Sequence, residues 1–212
     1  MIKITYRYIA PIIIVLLFIG VYTFMYGMNY STTSITTYLD SKTIELLESE
    51  SSLSTGKELM IFKVDAENSD VDVVLTSVPV FIRFPQSATN DWENIFSDFV
   101  IHSITTGQGV GSSFRVTKSS SDVQIENTSH NEILVTFDVT QYEEAFTIPA
   151  GENRDFKIFA DFKPADKIED FGNAADRNIG YVQAKLGDLK TNVKNWEHDT
   201  EGPLLYLNGG TK

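Results

Sequence analysis

Between Ile9 and Gly27 the chain carries no charged residue, and Ile, Leu, Val and Phe fill most of the run. As a helix rising ~1.5 Å per residue the run spans about 28 Å, close to the ~30 Å hydrocarbon layer of a bilayer. A cleavable secretion signal has a shorter apolar stretch of about 7–15 residues and a small-residue exit. Here the run leaves through Thr23-Phe24-Met25-Tyr26-Gly27-Met28, which is bulky. Tyr6 and Tyr8 flank one end, and Tyr22, Tyr26 and Tyr30 lie on one helical face at the other, where interfacial aromatic belts sit. The alternative is a buried core helix, but few soluble core helices are apolar on every face. The pattern predicts a cytoplasmic N-terminus over 1–8 and one transmembrane helix over 9–28. Pro11 fits its first turn, where a missing N–H loses no partner.

Charge then sets the orientation. Lys3 and Arg7 are the only charged residues before Asp40, so they stay inside and the remainder is exported. Removing those two from the 17 basic residues leaves 15 against 29 acidic ones, a charge of −14 on the rest of the chain. Such a surface repels phosphate backbones, which excludes nucleic acid as a partner class. With no cysteine in the sequence, disulfides, thiolate metal sites and a cysteine nucleophile are excluded too.

Residues 29–57, rich in Ser and Thr, read as a stalk or linker, with "LDSKTIELLESE" a weakly amphipathic helix within it. From Glu58 the period changes to two. In "ELMIFKVDA", Met60, Phe62, Val64 and Ala66 alternate with Ile61, Lys63 and Asp65. Val71, Val73 and Leu75 alternate next, and the phase then slips to Val78, Val80, Ile82 and Phe84. A slip at Ser77-Val78-Pro79 predicts a bulge or an edge-strand break. The later runs "DFVIHSITT", "SSFRVTK", "DVQIE", "EILVTFDVT", "EAFTIPAGENRDFKIFADF" and "IGYVQAKLGDL" repeat the alternation, and "GPLLYL" reads as a closing strand. About nine short runs separated by turn residues predict an all-β antiparallel sandwich over 58–212. Pro149-Ala150-Gly151, between two alternating runs, predicts a hairpin. Residues 86–98 form an insertion with room for one helical turn.

The segments "KELMIFKVDAENSDVDVVLTSVPVFI", "IPAGENRDFKIFAD" and "LGDLKTNVKNWEHDTEGPLLYLNGG" resemble immunoglobulin-like β-sandwich modules of prokaryotic surface and pilus-associated proteins. The resemblance implies an immunoglobulin-like sandwich and a role in display, adhesion or assembly. Its motifs are structural and bring no active-site residue with them. The layout of one N-terminal helix plus a β-sandwich is also similar to archaeal pilins and to accessory proteins of archaeal motility filaments. Unlike bacterial type IV pilins, the apolar run has no glutamate near its start and no Gly-Phe-Thr-type processing site.

Catalytic patterns are sparse. His102, His130 and His198 fall in separate segments without a second ligand at metal-like spacing. Ser112 and Ser113 in "GQGVGSSF" lack the nucleophile elbow, and adjacent Glu143-Glu144 is no positioned acid–base pair. Trp92 and Trp196 read as loop-packing residues. The one cofactor candidate is calcium, for which "DAENSDVDV" offers Asp65, Glu67, Asp70 and Asp72 within a turn between strands. Calcium takes 6–8 hard oxygen ligands. A second acidic group holds Asp166, Glu169, Asp170, Asn173 and Asp176. For both groups the alternative is a solvated strand end.

The reading is a non-catalytic, single-pass component of a cell-surface assembly, held in the membrane by its helix and partnered by copies of itself or by other surface or filament proteins. Two alternatives stay open. One is a pilin-like filament subunit whose helix packs against other copies, although Gly20 and Thr23 make a weak small-residue seam. The other is a carbohydrate-active enzyme domain.

Overall fold

Alternation in β3 (Ser54–Asn68) decides which side of the first sheet faces inward: Met60, Phe62, Val64 and Ala66 are buried, and the residues between them are half-buried on the outer side. In the computed structural model the described residues are 32–37, 42–45, 54–85, 92–104, 114–117, 122–163, 178–193, 196–198 and 201–208. The run 9–28 expected as an anchor lies outside them. Among the described residues no helix is long and apolar enough to cross a membrane.

Fourteen described strands form two sheets. The first runs β13 (Trp196–His198), β1 (Thr32–Thr37), β3, β10 (Asn153–Phe162), β5 (Phe96–Ile104) and β6 (Phe114–Thr117). The second runs β2 (Lys42–Glu45), β14 (Glu201–Asn208), β11 (Asn178–Leu186), β4 (Val73–Arg83), β8 (Glu132–Asp138) and β7 (Val123–Ser129). Two short strands, β9 (Thr147–Ile148) and β12 (Lys190–Thr191), add to β4. The β1·β13 and β2·β14 pairs are parallel and the other described pairs antiparallel. This is the expected all-β sandwich class.

Phenylalanine fills the space between the sheets. Phe62, Phe156 and Phe146 stack in series, with ring centroids 5.1 and 5.5 Å apart. A second cluster joins Phe96 to Phe84, Phe99 and Phe162, and Trp92 packs on Phe99 at 6.0 Å. Each fully buried ring contributes about 1.5–3 kcal/mol relative to exposure. Leu59 is the extra residue of a β-bulge, because Ile158 pairs with Met60 while Phe159 pairs with Glu58. The bulge lets both Leu59 and Met60 enter the core. Helix α1 (Glu143–Phe146) is tied down by buried Arg154, whose guanidinium donates to the carbonyls of Glu144 (3.3 Å) and Ala145 (2.8 Å). Those carbonyls end a helix and need outside donors.

Several expectations change in three dimensions. Strands β1 and β2 lie within 29–57, the stretch expected as stalk and helix, and they join opposite sheets. Pro149-Ala150-Gly151 is a turn, with the Glu152 N–H on the Pro149 carbonyl (3.0 Å) and Gly151 at φ +81°. It is not a hairpin, because β9 before it pairs with β4 while β10 after it enters the first sheet. The phase slip is real, since Ser77 and Val78 are both buried, but β4 is a central strand rather than an edge. Pro79 is tolerated there because its carbonyl, and with it the side where its N–H would point, faces Gly187 (2.8 Å). On that side the ladder changes from β12 to β11, so no ladder bond is lost. The insertion over 86–98 contains a 3-10 turn at Trp92–Asn94, and Trp92 belongs to the core.

Candidate interaction face

The four calcium candidates sit around the end of β3 and the turn into β4, and Asp65, Glu67 and Asp72 each hold a different partner. Asp65 accepts from the Glu67 N–H (2.9 Å) and lies 3.8 Å from Lys63 Nζ. Glu67 accepts from Asn153 Nδ2 at 2.7 Å. Asp72 accepts from the Ala150 N–H at 2.9 Å, clamping the Pro149–Gly151 turn. Asn192 reinforces that corner, accepting from the Val74 N–H and donating to the Asp72 carbonyl, both at 2.8 Å. Asp70 is exposed in the turn. Among the described residues no three His, Asp or Glu side chains gather as a metal group would. The second acidic group, 166–176, lies outside the described residues.

The other singled-out residues also stand apart. His102 is half-buried against the ring of Phe159, centroids 4.8 Å apart. His130 is exposed at the β7–β8 turn, and His198 lies in β13 opposite Ile35. Glu143 and Glu144 are exposed at the start of α1. Ser112 and Ser113 fall outside the described residues. Asp138, at the end of β8, has its carboxyl held below the usual carboxylate range, first by the Thr140 hydroxyl (2.6 Å) and then by the Thr140 N–H (3.0 Å). A carboxyl held ionised in this way suits capping rather than proton donation.

The described chemistry concentrates instead on the outward side of the second sheet. Val182, Ala184 and Leu186 of β11 point inward, so Tyr181, Gln183 and Lys185 point out; β14 turns Tyr206 out in the same manner. Tyr181 and Tyr206 are direct cross-strand partners, 42% and 47% exposed. Apart from Val71 they are the exposed large apolar side chains among the described residues. The next rows are Leu204–Gln183–Arg83–Glu132 and Glu201–Lys185–Phe81–Leu134. Phe81, Arg83, Glu132, Gln183, Lys185 and Glu201 line a shallow depression there. Arg83 Nη2 lies 3.4 Å from Glu132 Oε2, and Gln183 Nε2 donates to the Gly202 carbonyl at 3.2 Å.

The strands that carry the face are pressed closely together. A Cβ on Gly202 would come within 2.7 Å of the Ala184 carbonyl oxygen. Two cations and two carboxylates flank the depression on a strongly acidic chain, so local charge is balanced where the surface is most aromatic. Tyr and Arg beside partly buried apolar side chains are the composition of protein-binding surfaces. No catalytic or metal-binding pattern in the sequence covers these residues. The one signal in the sequence is a tyrosine at an outward position of each of "GYVQAKL" and "PLLYLN".

No protein-family model and no curated protein matches the chain. Among solved structures, CaCohA2 from Clostridium acetobutylicum aligns over 84% of this chain and 93% of its own, with 11% identity and a TM-score of 0.37. The seventh ScaB type I cohesin from Pseudobacteroides cellulosolvens aligns over 85% and 95%, with 8% identity and a TM-score of 0.33. AvmM, which catalyses macrocyclization in alchivemycin A biosynthesis, aligns over 85% and 90%, with 8% identity and a TM-score of 0.40.

Proposed function

We propose that this chain is a membrane-anchored, extracytoplasmic and non-catalytic component of a cell-surface assembly, and that the outward side of its second sheet contacts another protein of that assembly. The observation that supports the contact is the exposed Tyr181–Tyr206 pair beside a depression framed by Arg83, Lys185, Glu132 and Glu201. Large exposed aromatics grouped on one face favour a partner over water. The placement outside the membrane rests on the uncharged run Ile9–Gly27, the basic residues before it and the charge of −14 after it.

The test compares full-length wild type with the double variant Tyr181→Ser/Tyr206→Ser, extracted in mild detergent and sedimented. Wild type is expected in species heavier than one chain, and the variant in lighter ones at an unchanged melting temperature. A lone wild-type monomer, or a variant still in the heavy species, overturns the contact. Protease added to intact cells should digest the sandwich; a protected sandwich overturns the location.

A further inference from the structure

The chain enters and leaves the sandwich at opposite ends. Strand β1 is antiparallel to β3, and the short Ser69–Asp72 turn reverses β3 into β4, so β1 and β4 run the same way. Strand β4 is antiparallel to β11, β11 is antiparallel to β14, and β14 is parallel to β2. Strands β1, β2 and β14 therefore all point in one direction.

They are also laid end to end. Strand β1 lies beside only the last part of β3, from Thr32 opposite Asn68 to Thr37 opposite Phe62. Where β1 ends, the Thr37 hydroxyl donates to the carbonyl of Glu201, the first residue of β14, at 2.6 Å. Strand β14 continues from there, and its last residues, Leu205–Asn208, run parallel to Lys42–Glu45 of β2. Residues 38–41 join β1 to β2, so β2 is tethered to the incoming chain while β14 leads to the outgoing one.

Tension between the two sides has one mechanical consequence. Ladder hydrogen bonds lie across the strand axis. A pull on the N-terminal side drags β1 and β2 one way, and a pull on the C-terminal side drags β14 the other. Every bond between β14 and its neighbours β2 and β11, and between β1 and β3, is then sheared together rather than opened one at a time. Resistance to forced unfolding follows the unfolding rate, and simultaneous loading slows it. We infer that β1, β2 and β14 form a shear clamp, and that the domain is a load-bearing link, able to pass tension along the direction of its strands. This goes beyond the proposed contact and does not depend on it.

Single-molecule pulling of the full chain in detergent tests the inference. The protein has no cysteine, so an introduced thiol places a handle at one site only. One geometry pulls the two chain ends. The other pulls the N-terminal end against Val71→Cys, which is 52% exposed and lies in the turn beside the start of β1, so that β1 is peeled. End-to-end rupture is expected at a several-fold higher force, in one step. Thr37→Val should lower that force and leave the peeling force alone, with the folded fraction checked by melting. Equal forces in the two geometries, or end-to-end unfolding in many small steps, would overturn the clamp.

Discussion

On the outward side of the first sheet, Lys157 Nζ lies 3.0 Å from Glu58 Oε2, Lys63 faces Asp65, and His102 leans on Phe159. From Glu58 to Asp65 of β3 and from Asn153 to Phe159 of β10, no outward side chain is exposed. On the outward side of the second sheet Tyr181, Tyr206, Arg83 and Lys185 are all exposed. The strands beneath both faces follow the same two-residue alternation, so alternation alone does not make a contact surface. What differs is the chemistry of neighbouring outward side chains. The first sheet sets opposite charges and a ring with an imidazole side by side, and these satisfy one another. The second also pairs Arg83 with Glu132, but it sets tyrosine opposite tyrosine and leaves both open to water.

The largest loss is expected in the core that lies under both faces. Phe156 is fully buried and stacks on Phe62 and Phe146. Phe156→Ala is expected to cost about 3–5 kcal/mol in urea unfolding, with Tyr exposure changing at the same urea midpoint as the rest of the domain. A face that survived the loss of this ring would show that the two sheets do not share one core.

A smaller effect separates the faces directly. Phe159→Ser removes a half-buried ring from His102 and is expected to lower stability by about 1–2 kcal/mol. Tyr206→Ser, on the open face, should stay within about 0.5 kcal/mol of wild type. Equal losses in thermal unfolding would mean that Tyr206 is a structural residue, which would remove the argument for a contact there.

The smallest effect is a pH dependence at the end of β8 in the second sheet. The folded-state carboxyl of Asp138 is lowered below its ordinary value of 3.8 by Thr140. Its contribution is therefore complete above pH 3.8 and is lost as pH falls through the lowered folded value. Solvent screening keeps it below about 1 kcal/mol. Asp138→Asn should flatten the acid limb of a stability–pH curve by that amount, and an unchanged limb would show that the Thr140 bonds do not stabilise the folded state.

Much of the fold was legible because inward positions announce themselves. Met60, Phe62, Val64 and Ala66 alternate in the sequence and are buried in the structure, and "GPLLYL" does become part of β14. Strands β1 and β2 were not legible. "TTSITT" and "KTIE" carry few apolar residues, and a polar segment becomes a strand only when a neighbour's ladder accepts its backbone. The Pro149–Gly151 turn was readable, since a positive φ calls for glycine. Its crossing between sheets was not, because the same turn residues serve a hairpin or an arch.

Residue order alone therefore determined the two-residue period from Glu58 on, most of the inward set there, the Pro149–Gly151 turn and the split between the uncharged run Ile9–Gly27 and an acidic body. Each follows from the chemistry of residues a few positions apart. Only the tertiary structure decided which outward side chains neutralise each other and which stand open. It alone also set Pro79 beside a break in the ladder and joined Thr37 to Glu201. Those outcomes depend on register between strands distant in sequence, and register is set when the two sheets close on a common core.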